Sequence, residues 1–141
     1  MKIFAYTDGA ARNNPGKSAS GYCLLDNKHR VLAEDAFYNG ECTNNVAEYK
    51  AVIAALSTAL KMFGKESELV LVSDSRLIVN QLVGNYKVKD RALKRLNSEA
   101  KRLLAEFERH TLLNVSRENT HIVKVDKMLN LLLDEIEDKR E

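Results

Sequence analysis

Cysteine occurs twice in this chain, proline once and tryptophan not at all. Cys23 and Cys42 lack metal-ligand spacing. In a reducing compartment they read as free thiols. The three histidines, His29, His110 and His121, are scattered and form no zinc pattern. No stretch of 18 residues is apolar and free of charge, so no membrane-spanning helix and no membrane partner are expected. The opening MKIFAYTDG turns acidic too soon for a secretory leader. A cytoplasmic protein is therefore expected. Internal repeats, low-complexity segments and linkers are also missing, which leaves one domain over residues 1–141.

What is present suits a globular chain: 45% apolar and 30% charged residues. The formal net charge of +2 excludes little, but its distribution is uneven. Lys87, Lys89, Arg91, Lys94, Arg95, Lys101 and Arg102 face only Asp90 and Glu99 in their stretch. That pattern suits a polyanion lying on one face, and equally a solvated helix face. From Asp134 onward the chain turns acidic, and a fraying terminus is expected there.

Apolar periodicity predicts the elements. KIFAYT, SGYCLLD and VLAEDAFYNG read as three strands of an antiparallel meander. From Asn44 the period becomes helical through Tyr49, Ile53, Leu56, Leu60 and Phe63, and Gly64 marks the stop. ELVLVSD has the continuous apolar run of a central strand. A short helix over 75–83, a turn at GNY and an amphipathic helix over 91–108 follow. TLLNVSR is a fifth strand, and the final helix is expected over 123–140. The sum is an α/β domain with a five-stranded mixed sheet, a meander followed by parallel strands, flanked by helices.

Four acids stand at or near element ends. Asp8 closes the first strand and Asp74 the fourth, so parallel neighbours would bring both to one sheet edge, where open α/β sheets bind ligands. Glu48 falls in the first turn of its helix and Asp126 near the start of the last. Each has a local explanation: Asp8 as a turn residue, Glu48 in a capping box, Asp74 as a helix cap, Asp126 as a dipole partner. Together they would repel unless cations joined them. Oxygen donors of this kind suit Mg²⁺, with Mn²⁺ as a substitute. Two such ions about 4 Å apart can activate water and stabilise a departing oxygen in phosphodiester hydrolysis.

TDGAARNNPG, TNNVAEYKAVIAAL, LVSDSRLIVNQL and VDKMLN occur in this order. Together they resemble ribonuclease HI, in particular the archaeal and bacterial forms without the basic protrusion helix. The resemblance covers most of the chain. It implies a ribonuclease H-like fold and two-metal hydrolysis of the RNA strand of RNA·DNA hybrids, giving 5′-phosphate and 3′-hydroxyl ends. By the same resemblance Asp8, Glu48, Asp74 and Asp126 hold metal and serve catalysis, and Thr43, Asn44 and Asn45 contact the sugar–phosphate backbone. Gly9, Asn13 and Asn14 are further substrate candidates.

The resemblance departs at the fourth acid. RENT is followed by Asp126 at a longer spacing than the family's, with Val125 in place of a small residue. Glu118 and then Asp134 are the alternatives to Asp126. His121 lies where relatives carry a mobile-loop histidine implicated in proton transfer or product release. Arg76 stands where a glutamine is common and is a candidate phosphate contact. Glu41 replaces an arginine. With no protrusion, Lys89, Arg91 and Lys94 are the expected electrostatic track. A monomer is expected. A nuclease on double-stranded RNA, or a catalytically weak hybrid-binding module, are the alternative readings.

Overall fold

The structure, a computed structural model, describes residues 1–138. Its elements in chain order are β1 (Lys2–Arg12), β2 (Gly16–Leu25), β3 (Val31–Cys42), α1 (Asn44–Phe63) and β4 (Glu68–Ser73). Then come α2 (Arg76–Val83), α3 (Arg91–Glu106), β5 (Arg109–Asn114) and α4 (Thr120–Asp138). The sheet order is β3-β2-β1-β4-β5, with β1–β2 and β2–β3 antiparallel and β4 parallel to both β1 and β5. The predicted mixed five-stranded sheet is the one observed. The last residues of the expected final helix and acidic tail lie outside the described residues.

Alternation along β1 assigns its two faces. Ile3 and Ala5 join Leu69, Leu71 and Leu24 in the larger core with Tyr49, Val52, Leu56, Leu103 and Leu104 of α1 and α3. Tyr6 faces the other way and packs with Cys23, Val70, Val72 and Ile122 and Val125 of α4. Inside the larger core the Tyr49 hydroxyl donates to Gln81 Oε1 at 2.7 Å and accepts from Asn97 Nδ2 at 3.0 Å. One buried polar network therefore joins α1, α2 and α3.

Several boundaries differ from the sequence reading: β2 begins at Gly16, ahead of SGYCLLD, β5 spans Arg109–Asn114 in place of TLLNVSR, and two further differences bear on the site. β1 does not end at Asp8 but runs on to Arg12, paired through Gly9↔Ser20, Ala10↔Ala19 and Arg12↔Lys17. The loop shrinks to the Asn13–Pro15 connection because DGAAR and GKSAS are small enough to let helices lie on both faces. α4 begins at Thr120 instead of 123 because Asn119 caps it, its Oδ1 accepting the N–H groups of His121 (3.0 Å) and Ile122 (3.3 Å).

Candidate metal centre

The β1–β4 ladder ends at Thr7↔Ser73, so Asp8 and Asp74 are the first residues beyond it on neighbouring parallel strands. Glu48 comes from α1, just past its first turn. Its Oε1 accepts the Gly9 N–H at 3.0 Å, across a very close approach of β1 to α1. A Cβ at Gly9 would stand within 2.5 Å of Ala47 O and Glu48 N, so only glycine fits here. One oxygen from each of Asp8, Glu48 and Asp74 lies within 4.8 Å of the others.

The local explanations for these acids are taken by other residues. Thr43 caps α1, its Oγ1 accepting from Val46 N at 3.2 Å, and Glu48 does not reach back to it. Ser75, not Asp74, caps α2 through Ile78 N at 3.2 Å. Asn119 caps α4. Asp8 sits in paired strand, not a turn. Asp8, Glu48 and Asp74 are thus free of the turn and capping roles.

Asp126 stands in the second turn of α4 and lines the same cavity of about 540 Å³. It lies seven positions, about two helical turns, beyond the capping Asn119, so the longer spacing is taken up as regular helix. Val125 points inward and is fully buried beside Gly21, where a Cβ would stand 3.0 Å from its Cγ1. The missing side chain on β2 makes room for the bulk of Val125. Of the alternatives, Glu118 is exposed and outside the cavity lining, and Asp134 pairs with Arg12 at 2.7 Å.

Burial and mutual repulsion set the protonation of the cluster. Burial pushes the Asp8 carboxyl up to about 7; the Glu48 carboxyl beside it offsets part of that rise, and the charges of Asp74 and Asp126 add to it. Glu48 is raised well above the ordinary range, by burial first and by Asp8 second. Asp74 is raised by burial and by Asp126, against its own backbone hydrogen bond and Arg117. Glu48 Oε2 is buried without any hydrogen bond. A buried, unpaired carboxylate oxygen facing two other carboxylates is unstable alone and well matched to a hard divalent cation. The donor set therefore fits the group that the resemblance implies.

The other predicted residues divide. Gly9, Asn44 and Asn45 line the cavity. Asn44 Oδ1 accepts from Ala11 N at 2.7 Å, and its N–H donates to Asn14 Oδ1 at 3.0 Å. Asn14 is thereby a buttress of α1, and Asn13, at φ +69°, shapes the hairpin. Arg76, Lys89, Arg91 and Lys94 are exposed and outside the lining. None of the last three takes part in an ion pair among the described residues. His121, expected in a loop, lies in the first turn of α4 because Asn119 starts the helix early. Its ring stands 4.6 Å from Tyr6 and 5.4 Å from His29, away from the cavity lining. Sequence reasoning missed Ser75, Arg117, Ile122 and Val123 as lining residues. Arg117 was within reach, since it opens the RENT stretch.

Comparison with known proteins agrees with this geometry. The family model "RNase H" matches residues 1–126. Ribonuclease HI of Halobacterium salinarum is 37% identical over 134 residues, which is 95% of this chain and 65% of that protein. The N-terminal RNase H domain of rv2228c from Mycobacterium tuberculosis superposes with a TM-score of 0.91 at 33% identity, covering 100% of this chain and 99% of that one. Against the full Mycobacterium protein the match spans only 30% of its length. LC11-RNase H1, solved in complex with an RNA/DNA hybrid, superposes with a TM-score of 0.88 at 38% identity, over 95% of this chain and 98% of that one. The chain thus spans less than two thirds of the curated relatives it matches first.

Proposed function

The chain belongs to the ribonuclease H family, and from that premise we propose that it hydrolyses the RNA strand of RNA·DNA hybrids at the Asp8–Glu48–Asp74–Asp126 cluster. The products are 5′-phosphate and 3′-hydroxyl ends. The observation that carries the reading is the set of three carboxylate oxygens within 4.8 Å of one another, with Glu48 Oε2 buried and unpaired among them. Asp8, Glu48 and Asp74 would hold one ion, and Asp126 would complete a second site at the cavity edge. Two Mg²⁺ ions, when bound, supply a water of lowered pKa and charge to stabilise the departing 3′ oxygen. All four acids come from one chain, so a monomer suffices.

The chain's own residues would do the rest. The acids must lose their protons before ions bind, so the raised Asp8 and Glu48 carboxyls couple binding to pH. Asn44 is clamped through its side-chain oxygen, which leaves its amide N–H₂ free to donate to a 2′-hydroxyl or phosphate. Asn45 stands beside it on the cavity wall. Contacts of that kind read sugar and shape without base sequence, as a nuclease of general use requires. Exposed Lys89, Arg91 and Lys94 would track the phosphates farther out.

The test is a strand-labelled RNA·DNA hybrid in Mg²⁺, in Mn²⁺ and in EDTA, beside duplex RNA, duplex DNA and the Asp126→Asn variant. Cleavage of the RNA strand alone, lost in EDTA and in the variant, is the expected result. Tight hybrid binding without cleavage in either metal would replace the enzyme reading with that of a binding module. Faster cutting of duplex RNA would replace the substrate.

A further inference from the structure

We propose that Arg12 and Asn130 are positioning residues that aim the Asp126 carboxylate, an inference that rests on the metal-site reading above. Asn130 Nδ2 donates to Asp126 Oδ1 at 3.2 Å and to the Asp126 carbonyl at 2.9 Å. On its other side Asn130 Oδ1 accepts from Arg12 Nη2 at 3.3 Å, and the Asn130 carbonyl accepts from the same nitrogen at 3.2 Å. A guanidinium has donors and no acceptor. It therefore fixes which way the Asn130 amide faces: oxygen to Arg12, N–H₂ to Asp126. Arg12 is itself held, Nη2 to Asp134 Oδ1 at 2.7 Å and Nη1 to Glu137 Oε2 at 2.8 Å.

The spacing makes this a device and not a chance contact. Asp8 and Arg12 are four residues apart on β1 and share the face that α4 covers, a separation of about 13 Å at strand rise. Asp126, Asn130 and Asp134 form one stripe of α4, eight residues long, about 12 Å at helix rise. Two rails of nearly equal length run side by side. Acids meet at one end, and Arg12 meets Asp134 at the other. The acidic start of the tail thus has work to do: it holds the arginine that orients the amide that orients the fourth acid. Asp126 is exposed, so without Asn130 its carboxylate would sample several rotamers, and ordering it would fall on metal binding.

Asn130→Leu keeps the branching of the side chain and removes both amide groups, while Arg12 keeps Asp134 and Glu137. The expected result is Mn²⁺ affinity weakened about tenfold, read by calorimetry without nucleic acid, which is the low end for a group behind a metal ligand. The turnover number in Mg²⁺ should fall in parallel, with KM for hybrid within about twofold and Tm unchanged. Arg12→Lys, still a donor-only cation, should retain affinity better than Arg12→Met, which guards against a variant that merely loosens α4. If Asn130→Leu and Arg12→Met lower Tm but bind Mn²⁺ as the unaltered chain does, Arg12 is only a fastener and the inference fails. Absence of Mn²⁺ binding by the unaltered chain would overturn the metal-site reading and the inference with it. Asn130-dependent Mn²⁺ binding without hybrid cleavage would overturn the substrate assignment alone.

Discussion

α1 and α4 each bring one acid to the same cavity from opposite faces of the sheet, by contrasting means. α1 is pressed onto β1 at Gly9, and its Glu48 is 7% exposed with one oxygen unpaired. α4 rests on small apolar clusters and polar ties, Lys124–Glu34 at 2.7 Å and Arg12–Asp134 at 2.7 Å, and its Asp126 is exposed. One acid is fixed by packing and penalised by burial. The other is solvated and held by hydrogen bonds. A metal site assembled this way has a rigid half that demands a cation and an open half that can admit substrate.

The contrast breaks most sharply at the acids. Glu48→Gln should lower cleavage on the order of a thousandfold, about 4 kcal/mol of barrier. The same change should raise the metal-free Tm, because it replaces a buried carboxyl that burial and Asp8 penalise when ionised and whose Oε2 has no hydrogen-bond partner, a cost of about 1–3 kcal/mol. Asp126→Asn should also abolish most activity, with no gain in Tm. Equal Tm shifts in the two variants, read by differential scanning calorimetry in EDTA, would erase the distinction.

Backbone approach gives the next effect. Gly9→Ala forces a methyl against the backbone of α1 and should cost about 3 kcal/mol, the upper end for overpacking. Gly21→Ala meets the Val125 side chain at 3.0 Å, with the nearest backbone atom, Asp35 O, at 3.4 Å, and should cost about 1 kcal/mol. Denaturant midpoints order the pair.

Proton linkage is smaller and carries a sign. The Asp8 carboxyl, folded value about 7 against an ordinary 3.8, favours the protonated folded state. Metal-free stability from this group is therefore full below about pH 4 and is lost as pH rises through about 7. Saturating Mg²⁺ should abolish or reverse that slope, since ion binding requires the deprotonated acids. A metal-free Tm that climbs between pH 4 and 7 in wild type, with Glu48→Gln no flatter, would contradict the burial of the rigid half.

The smallest effect lies farthest out. Neutralising Lys89, Arg91 and Lys94 should flatten the log–log salt dependence of hybrid binding by about one unit for each phosphate left without its cation. An unchanged slope would remove α3 from the interface.

The mixed five-stranded sheet and the strand-end places of Asp8 and Asp74 were legible because long periodic runs and strand-end carboxylates leave strong marks; the strand order was not. Less legible was which residue does the local work. Thr43 and Ser75 stand close to acids that could cap equally well, and only coordinates show that the hydroxyls take the task. Asn119 is a cap in plain view, yet the apolar restart at Val123 pulled the expected helix start past it and left His121 in a loop. β1 was cut short for a related reason. DGAAR carries no strand-forming side chains, and its pairing depends on the equally small GKSAS across from it, a non-local fact. Arg12–Asn130 joins residues 118 positions apart and has no sequence signature at all.

The buried Tyr49–Gln81–Asn97 network bears on this site through rotation. Val52, Ala55, Leu56 and Ala59 bury one side of α1 in the larger core, and the contact at Gly9 sets how near the helix lies to β1. The Tyr49 hydroxyl, bonded to α2 and α3, adds the cost of two buried hydrogen bonds to any turn of the helix about its axis. Glu48 is the adjacent residue, about 100° round the same helix. The network therefore acts as an angular index for the helix, setting the bearing of the carboxylate from within the larger core.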